Sequence, residues 1–203
     1  MAERATFYFD FSSPYAYLAA ERISGLFAES RVEQPEWQPI SFGHVLKETG
    51  RVPWSLQPGG PEQADLDEIQ RRAAERGLPE VRYDPGWPQE SYSLVPVRAA
   101  IFAKEAGKVV SFTQAALRQR FAAGRDLSEV DNVLIAAAAC ELHPRAVIKG
   151  IETKSVKERL RQVTADAIAR GVTGVPTVAV GDELFWGDDR LEDAVAAARL
   201  GGG

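Results

Sequence analysis

The chain has 203 residues, of which 45% are hydrophobic and 26% are charged, with a formal net charge of −5. These values are typical of a globular protein with one domain or two closely joined subdomains. Interspersed charges exclude a basic stripe for nucleic acid, and the lack of an apolar run of about 18 residues excludes a membrane span, so we expect a cytoplasmic protein.

The first predicted element is an aromatic-rich strand at 5–11, which is followed by the sequence Ser12-Ser13-Pro14. From Pro14 to Phe27, apolar residues recur at the spacing of a helix. A serine directly before a proline is typical of a helix start, so Ser13 is predicted to be the N-cap.

A second strand is predicted at 36–42, where Pro39 indicates either an edge position in the sheet or an irregular ladder of hydrogen bonds. Helical patterns without a convincing strand then extend from residue 43 to about 170. They lie at 43–49, 62–76, 94–106, 111–122, 128–141, 144–149 and 153–170.

Two joints within this helical region, at 50–61 and 77–93, are rich in turn-forming residues. They contain Trp54, Tyr83, Trp87 and Tyr92. Aromatic residues on loops either line a pocket or provide ordinary packing between subdomains, and the sequence leaves both interpretations open.

The strand signal returns at 176–180 and 183–186, separated by a Gly-Asp turn that is typical of a hairpin. A closing helix follows. Strands therefore occur only near the two ends of the chain, and they must pair with each other because neither pair alone makes a stable sheet. We predict an α/β fold with a four-stranded mixed sheet, formed by 1–42 and 171–203, and an inserted all-helical subdomain at 43–170.

Cysteine and histidine content limits the possible chemistry. Cys140 is the only cysteine, which excludes an intrachain disulfide and a cysteine-based metal cluster. Neither His44 nor His143 shows metal-ligand spacing, so we expect no metal site. Cys140 is interpreted as a small core residue.

Ser13 is the first candidate for chemistry, because unpaired backbone N–H groups and the helix dipole converge at a helix N-terminus. An anion bound there is stabilised, and a nearby thiol has its pKa lowered. The alternative interpretation is an ordinary N-cap, for which serine is a favoured residue.

The second candidate region surrounds Val175-Pro176 and Asp188-Asp189. A residue before proline is driven into an extended conformation, which leaves the backbone groups of Val175 free on one side. The two aspartates either cap the last helix or present a carboxylate to the ammonium group of a ligand.

Three segments together resemble the DsbA-related family that includes the kappa-class glutathione transferases and the 2-hydroxychromene-2-carboxylate isomerases. They are FYFDFSSPYAYLA, GVTGVPT and GDELFWGDDRLE. The resemblance implies a thioredoxin-like fold, in which Ser13-Pro14-Tyr15-Ala16 occupies the position of the Cys-x-x-Cys redox motif. Without a thiol at 13 or 16, dithiol–disulfide exchange is chemically unavailable at this position.

The resemblance also implies a cofactor, which is glutathione or an equivalent low-molecular-weight thiol. Ser13 would hold its sulfur, Val175 before Pro176 would pair with its backbone, and Asp189, with Asp188 nearby, would meet its γ-glutamyl ammonium. The implied activity is that of a thiol-dependent isomerase or glutathione transferase. Its substrate would be a small aromatic or unsaturated carbonyl compound, and a homodimer is a further expectation from the family.

On the substrate side, Lys47 matches a lysine that faces the cleft in this family, whereas Arg51 and Tyr92 each stand where the family has asparagine. Arg51 and Lys47 are interpreted either as ligands of a substrate carboxylate or as solvated surface charges. These replacements leave an alternative function open, namely a DsbA-family ligand- or thiol-binding protein without redox activity.

Overall fold

The computed structural model describes residues 4–90 and 92–201. Its strands are β1 (Thr6–Phe9), β2 (Glu36–Pro39), β3 (Thr177–Val180) and β4 (Glu183–Trp186). Its helices are α1 (Pro14–Ala20), α2 (Ile23–Glu29), α3 (Phe42–Thr49), α4 (Gln63–Glu75), α5 (Leu94–Glu105), α6 (Val109–Phe121), α7 (Val130–Ala139), α8 (Pro144–Glu152), α9 (Lys154–Ala169) and α10 (Leu191–Gly201). Short 3-10 turns lie at Trp54–Leu56 and Asp188–Arg190.

The strands form one mixed sheet in the order β2-β1-β3-β4. β1 pairs in parallel with β2 and antiparallel with β3, and β3 and β4 form an antiparallel hairpin. This topology confirms the predicted pairing between strands from the two ends of the chain. It also places β2 at an edge, which is one of the two alternatives that Pro39 indicated.

β1 is buried on both faces of the sheet because helices cover each side. Phe7 and Phe9 project into one core cluster and contact the indole of Trp37, with ring centroids 4.9 and 5.8 Å apart. Tyr8 projects into a second cluster, since successive side chains of a strand point to opposite faces. Burial on both faces explains why large aromatic residues occur at successive positions of this strand.

The single helix predicted from Pro14 to Phe27 is interrupted in the structure, where α1 ends before Glu21 and α2 begins at Ile23. Glu21 accepts two hydrogen bonds from the guanidinium of Arg118, at 2.8 and 2.6 Å. Arg22 donates to the carbonyl oxygen of Asp188 at 3.2 Å. These contacts with distant segments hold the two residues between the helices, and helical spacing alone does not reveal them.

The helical region packs on the sheet around α5, which contacts α6, α7, α8 and α9. One continuous cluster of buried apolar residues extends from β1 through α1 and into these helices, and it includes Cys140. Cys140 is therefore confirmed as a core residue. The proposed division of the chain at 42 and 171 stays a prediction, and its outermost residues, 1–3 and 202–203, lie outside the described ranges.

Within 4–90 and 92–201, no helix has both the length and the apolar character that crossing a membrane requires. The same residues contain no cluster of three His, Cys, Asp or Glu side chains that could hold a metal ion.

Candidate functional site

A cavity of about 770 Å³ opens where the end of β1, the 51–57 loop, the loop before β3 and the turn after β4 meet. This volume lies within the range of about 300–1,000 Å³ that is typical of small-molecule sites. Most of the candidate residues from the sequence line it: Ser13, Arg51, Trp54, Trp87, Tyr92, Val175, Pro176, Asp188 and Asp189.

Ser13 is buried in the cavity wall and is the N-cap of α1, with Pro14 at the first helical position, which confirms the predicted helix start. Its hydroxyl accepts a hydrogen bond from the N–H of Ala16 at 3.3 Å and donates one to the carbonyl oxygen of Val175, also at 3.3 Å. The Ser13 hydroxyl thus joins the positive end of α1 to the segment that precedes β3.

The Val175–Pro176 peptide bond is cis. The segment is fixed on both sides, because Thr177 donates through Oγ1 to the carbonyl of Gly174 at 2.8 Å and Gly187 donates to the carbonyl of Pro176 at 3.0 Å. The antiparallel pairing of β1 and β3 then carries Val175 to the start of α1.

Asp10, at the end of β1, is fully buried directly before the Ser12-Ser13 segment. Its carboxylate accepts hydrogen bonds from the backbone N–H groups of Ser12 and Phe42, each at 2.8 Å, and from the Ser93 hydroxyl at 2.9 Å. Burial raises the pKa of Asp10, and these hydrogen bonds oppose the increase. Asp10 therefore fixes three segments of the cavity wall to one another. Sequence reasoning missed it, although it is the one charged residue within the aromatic-rich segment at 5–11.

Asp188 and Asp189 differ in their availability to a ligand. The Asp188 side chain is 1% exposed and lies 2.6 Å from a guanidinium nitrogen of Arg72 and 2.6 Å from one of Arg76. The Asp189 side chain is 59% exposed, and its contact with Arg72 is 3.9 Å long. Asp188 thus connects α4 to the turn before α10, and Asp189 is the carboxylate that is open to the cavity.

Aromatic rings form the wall beside Ser13. Trp54 lies between Tyr15 and Trp87, with centroid distances of 5.9 and 6.0 Å, and the indole of Trp87 donates to the carbonyl of Ser12 at 3.3 Å. Tyr83 stacks behind Trp87 at 4.2 Å, and burial raises the pKa of Tyr83. The two interpretations of the loop aromatics therefore apply to different residues, since Trp54 and Trp87 line the cavity and Tyr83 packs behind them.

Arg51 lies at the cavity mouth, where its guanidinium is 4.7 Å from the ring centre of Trp186 and donates to the hydroxyl of Thr173 at 2.7 Å. No carboxylate of the described residues forms an ion pair with it. A methyl group on Gly174 would lie 2.5 Å from the indole nitrogen of Trp186, so glycine is needed for this close approach. Sequence reasoning missed Thr173 and Trp186, although both lie inside the segments that carry the family resemblance.

Lys47 does not line the cavity. It is exposed on α3, and Leu46 lines the cavity from that helix instead. Tyr15 and Arg72 line the cavity without having been predicted, and the Arg72 guanidinium lies 5.6 Å from the Tyr15 ring centre. Burial raises the pKa of Tyr15, and the charge of Arg72 opposes this effect. Tyr92 lies at the rim with its side chain largely exposed.

Comparison with known proteins matches residues 5–198 to the model of the DSBA-like thioredoxin domain. A 2-hydroxychromene-2-carboxylate isomerase of Sphingobium xenophagum is 25% identical over 193 residues, which cover 95% of this chain and 96% of the relative. The isomerase of the same name from Pseudomonas sp. (strain C18) is 29% identical over 213 residues, covering 97% and 92%.

A solved structure of 2-hydroxychromene-2-carboxylate isomerase is similar to this fold, with a TM-score of 0.79 at 24% identity. The match covers 98% of this chain and 96% of the other. Together with the mixed sheet, it confirms the thioredoxin-like fold predicted from the sequence.

Proposed function

The chain belongs to the DSBA-like thioredoxin domain family, and we propose that it is a thiol-dependent isomerase or transferase of the 2-hydroxychromene-2-carboxylate isomerase and kappa-class type. Its cofactor would be glutathione or an equivalent low-molecular-weight thiol, and its substrate a small aromatic or unsaturated carbonyl compound. The observation that carries this proposal is the Ser13 hydroxyl, which caps α1 inside an aromatic-lined cavity. Its similarity to two 2-hydroxychromene-2-carboxylate isomerases supports an isomerase activity.

The cavity offers matching groups for each part of a glutathione-like thiol. The sulfur would lie at the Ser13 hydroxyl and the positive end of α1. A backbone N–H of the peptide would donate to the carbonyl of Val175, next to Pro176. The open carboxylate of Asp189 would accept the ammonium group, whereas Asp188 would hold the turn in place through Arg72.

Thiol binding would replace the hydrogen bond between Ser13 and Val175 with two hydrogen bonds to the ligand. The single proton of the Ser13 hydroxyl is now donated to the Val175 carbonyl over a long 3.3 Å. A thiolate is a charged acceptor and forms a stronger bond, so the Ser13 hydroxyl would turn to the sulfur. This releases the Val175 carbonyl to accept from the ligand backbone.

Ser13 would act by stabilising a negative charge on sulfur. A cysteine thiol has a pKa of about 8.5, and lowering it by about two units requires roughly 2.7 kcal/mol of preferential thiolate stabilisation. One hydrogen bond to a charged group contributes about 1.5–3 kcal/mol. The helix terminus adds about 0.3–1 kcal/mol at an exposed site and more where it is partly buried. These contributions together are large enough for the task.

When bound, the thiol supplies a nucleophile that adds reversibly to an unsaturated carbonyl compound, and its departure restores the double bond with changed geometry. The chain's own groups orient the partners. Trp54 and Trp87 would contact the aromatic part of the substrate, and Arg51 would bind a carboxylate at the cavity mouth. No electrons are gained or lost overall, in keeping with the absence of cysteine at 13 and 16.

A second candidate is a ligand- or thiol-binding protein of the same family without turnover or redox activity. The position of Lys47 favours this second candidate. Lys47 matches the lysine that faces the cleft in the family, yet it does not line the cavity around Ser13. Thiol binding without rate enhancement would be its signature.

Turnover of 2-hydroxychromene-2-carboxylate, followed by its ultraviolet spectrum with and without glutathione, tests the proposal. Calorimetric titration with glutathione alone accompanies it. We expect saturable thiol binding and isomerisation that depends on the thiol. Saturable binding without rate enhancement on this or other unsaturated carbonyl compounds would instead support the binding protein. If no cellular thiol binds, the cofactor assignment is wrong.

A further inference from the structure

A second cavity, of about 130 Å³, lies beside α3 and is separate from the functional cavity. α3 and its cap contribute to both, since Phe42, Gly43 and Leu46 line the large cavity and Ser41 and His44 line the small one. The polar groups of the small cavity are three cations, two hydroxyls and one imidazole: Arg98, Lys157, Arg161, Ser41, Thr164 and His44. None of its described lining residues carries a carboxylate, and Glu152, which pairs with Lys157 and lies close enough to Arg98 for a charge interaction, is not among them.

Arg98 is the central group because its side chain donates no hydrogen bond to any described residue. Its Nε is fully buried without a hydrogen-bond partner, and no described residue accepts a hydrogen bond from its guanidinium. Buried donors are normally satisfied, and leaving a charged one unpaired costs free energy. A planar guanidinium with five N–H donors matches the geometry of an oxyanion.

Lys157 and Arg161 lie four residues apart on α9, so both side chains project to the same side of the helix. Lys157 pairs with Glu152 at 2.6 Å, and Arg161 pairs with Glu158 at 2.8 Å. Both glutamates are 65% exposed, and solvent-exposed ion pairs of this kind contribute little. The Arg161 side chain is 71% exposed and can therefore turn to a ligand in the cavity at small cost. The Lys157 side chain is 30% exposed and would share its charge between Glu152 and the ligand.

The start of α3 also favours an anion. Ser41 is the N-cap of α3, which brings the positive end of that helix to the cavity. The hydroxyl of Thr164 accepts from the backbone N–H of Ser41 at 3.1 Å, and this bond ties α3 to α9.

We propose that this small cavity is a binding site for a tetrahedral oxyanion of the phosphate class, either inorganic phosphate or the phosphate group of a small monoester. Its volume of about 130 Å³ is large enough for one such group. The bound anion would satisfy Arg98 and would join α3, α5 and α9. This site does not depend on the function proposed for the large cavity.

Titration with inorganic phosphate, glycerol phosphate and sodium chloride at matched ionic strength tests the proposal, with binding measured by calorimetry and thermal unfolding. We expect saturable binding of phosphate and a concentration-dependent increase in the unfolding temperature that chloride does not reproduce. Tighter binding of glycerol phosphate would identify a monoester as the ligand, and equal or weaker binding would identify inorganic phosphate.

Arg98→Gln is expected to weaken phosphate binding at least tenfold, whereas Arg159→Gln, on the exposed part of α9, leaves it unchanged. Lys157→Gln changes a half-buried residue and Arg161→Gln an exposed one, and both carry the test if Arg98→Gln fails to fold; each should weaken binding severalfold. Ser13→Ala should bind phosphate as the wild type does. Phosphate effects equal to those of chloride, or undiminished binding in the Arg98, Lys157 and Arg161 variants, would overturn the proposal.

Discussion

The hydroxyl of Ser13 lies 3.3 Å from the carbonyl oxygen of Val175, although 162 positions separate the two residues in the sequence. The antiparallel register of β1 and β3, in which Tyr8 pairs with Thr177, creates this contact. It joins a helix N-terminus to a backbone segment that precedes a cis-proline. The two motifs recognised separately in the sequence are thus one site.

Asp189 is expected to bind the ammonium group of glutathione. We predict that Asp189→Asn lowers the affinity for glutathione about tenfold, because one charge-assisted hydrogen bond is weakened. Affinity for N-acetylcysteine, which has no free ammonium group, should not change. Calorimetric titration with both thiols measures the difference.

The matched control is Asp182→Asn, which alters an exposed carboxylate in the turn between β3 and β4, outside the cavity lining. It should bind both thiols as the wild type does. Equal losses for glutathione and N-acetylcysteine in Asp189→Asn would contradict the assigned role of Asp189.

Asp188 is expected to contribute to stability. Asp188→Asn removes the charge that pairs with Arg72 and Arg76 and leaves both guanidinium groups partly buried without it. We predict a loss of about 3 kcal/mol in the free energy of unfolding, measured by denaturant titration. Asp189→Asn is the control, because the exposed Asp189 carboxylate should contribute little to stability. Equal losses in the two variants would show that the buried network contributes little.

Gly150 allows α8 to pack closely against α5. A methyl group at this position would lie 2.5 Å from the ring of Phe102, so Gly150→Ala should cost about 1–3 kcal/mol of stability. Gly25→Ala is the control, since Gly25 lies on α2 with open space around it and should gain about 0.5–1 kcal/mol from its better helix propensity. Similar effects of the two substitutions would refute the packing argument.

Asp10 gives a prediction for pH dependence. Burial raises its folded-state pKa above the unfolded value of about 3.9, so the folded state binds more protons between these two pKa values. Ionisation of Asp10 therefore lowers stability as the pH rises through this window. Asp10→Asn does not titrate. The stability of the wild type minus that of Asp10→Asn should accordingly fall as the pH rises, as measured by denaturant titrations at several pH values.

An increase in that difference with pH would mean that the hydrogen bonds from Ser12, Phe42 and Ser93 outweigh burial. The absolute stability of Asp10→Asn should be lower than that of the wild type, because an amide has one acceptor oxygen where the carboxylate has two. The slope with pH, rather than this offset, tests the effect of burial.

Local sequence patterns predicted the parts of the molecule that local physics controls. Ser13 before Pro14 predicted the N-cap, and strands confined to the two ends of the chain predicted the mixed sheet. The first strand could be predicted because burial on both faces requires large apolar residues at successive positions. These features depend on neighbouring residues, on capping and on the need of each strand for a partner.

Side-chain positions that depend on particular contacts between distant segments were not predicted. Arg72 reaches the cavity from α4 only because Asp188 holds it there. The break between α1 and α2 follows from contacts of Glu21 and Arg22 with α6 and the turn before α10. Lys47 was expected at the cleft from the family pattern, yet the orientation of α3 directs Leu46 to the cavity instead.

The pKa of the glutathione thiol in its complex with the protein tests the central claim most directly. It is measured from thiolate ultraviolet absorbance across a pH titration of wild type, Ser13→Ala and Ser55→Ala. Ser55 also lines the cavity but caps no α-helix, so it controls for loss of a hydroxyl. We predict a bound-thiol pKa below about 8.5 in wild type and Ser55→Ala, and a value about 1–2 units higher in Ser13→Ala. A bound-thiol pKa that is the same in wild type and Ser13→Ala would contradict the account.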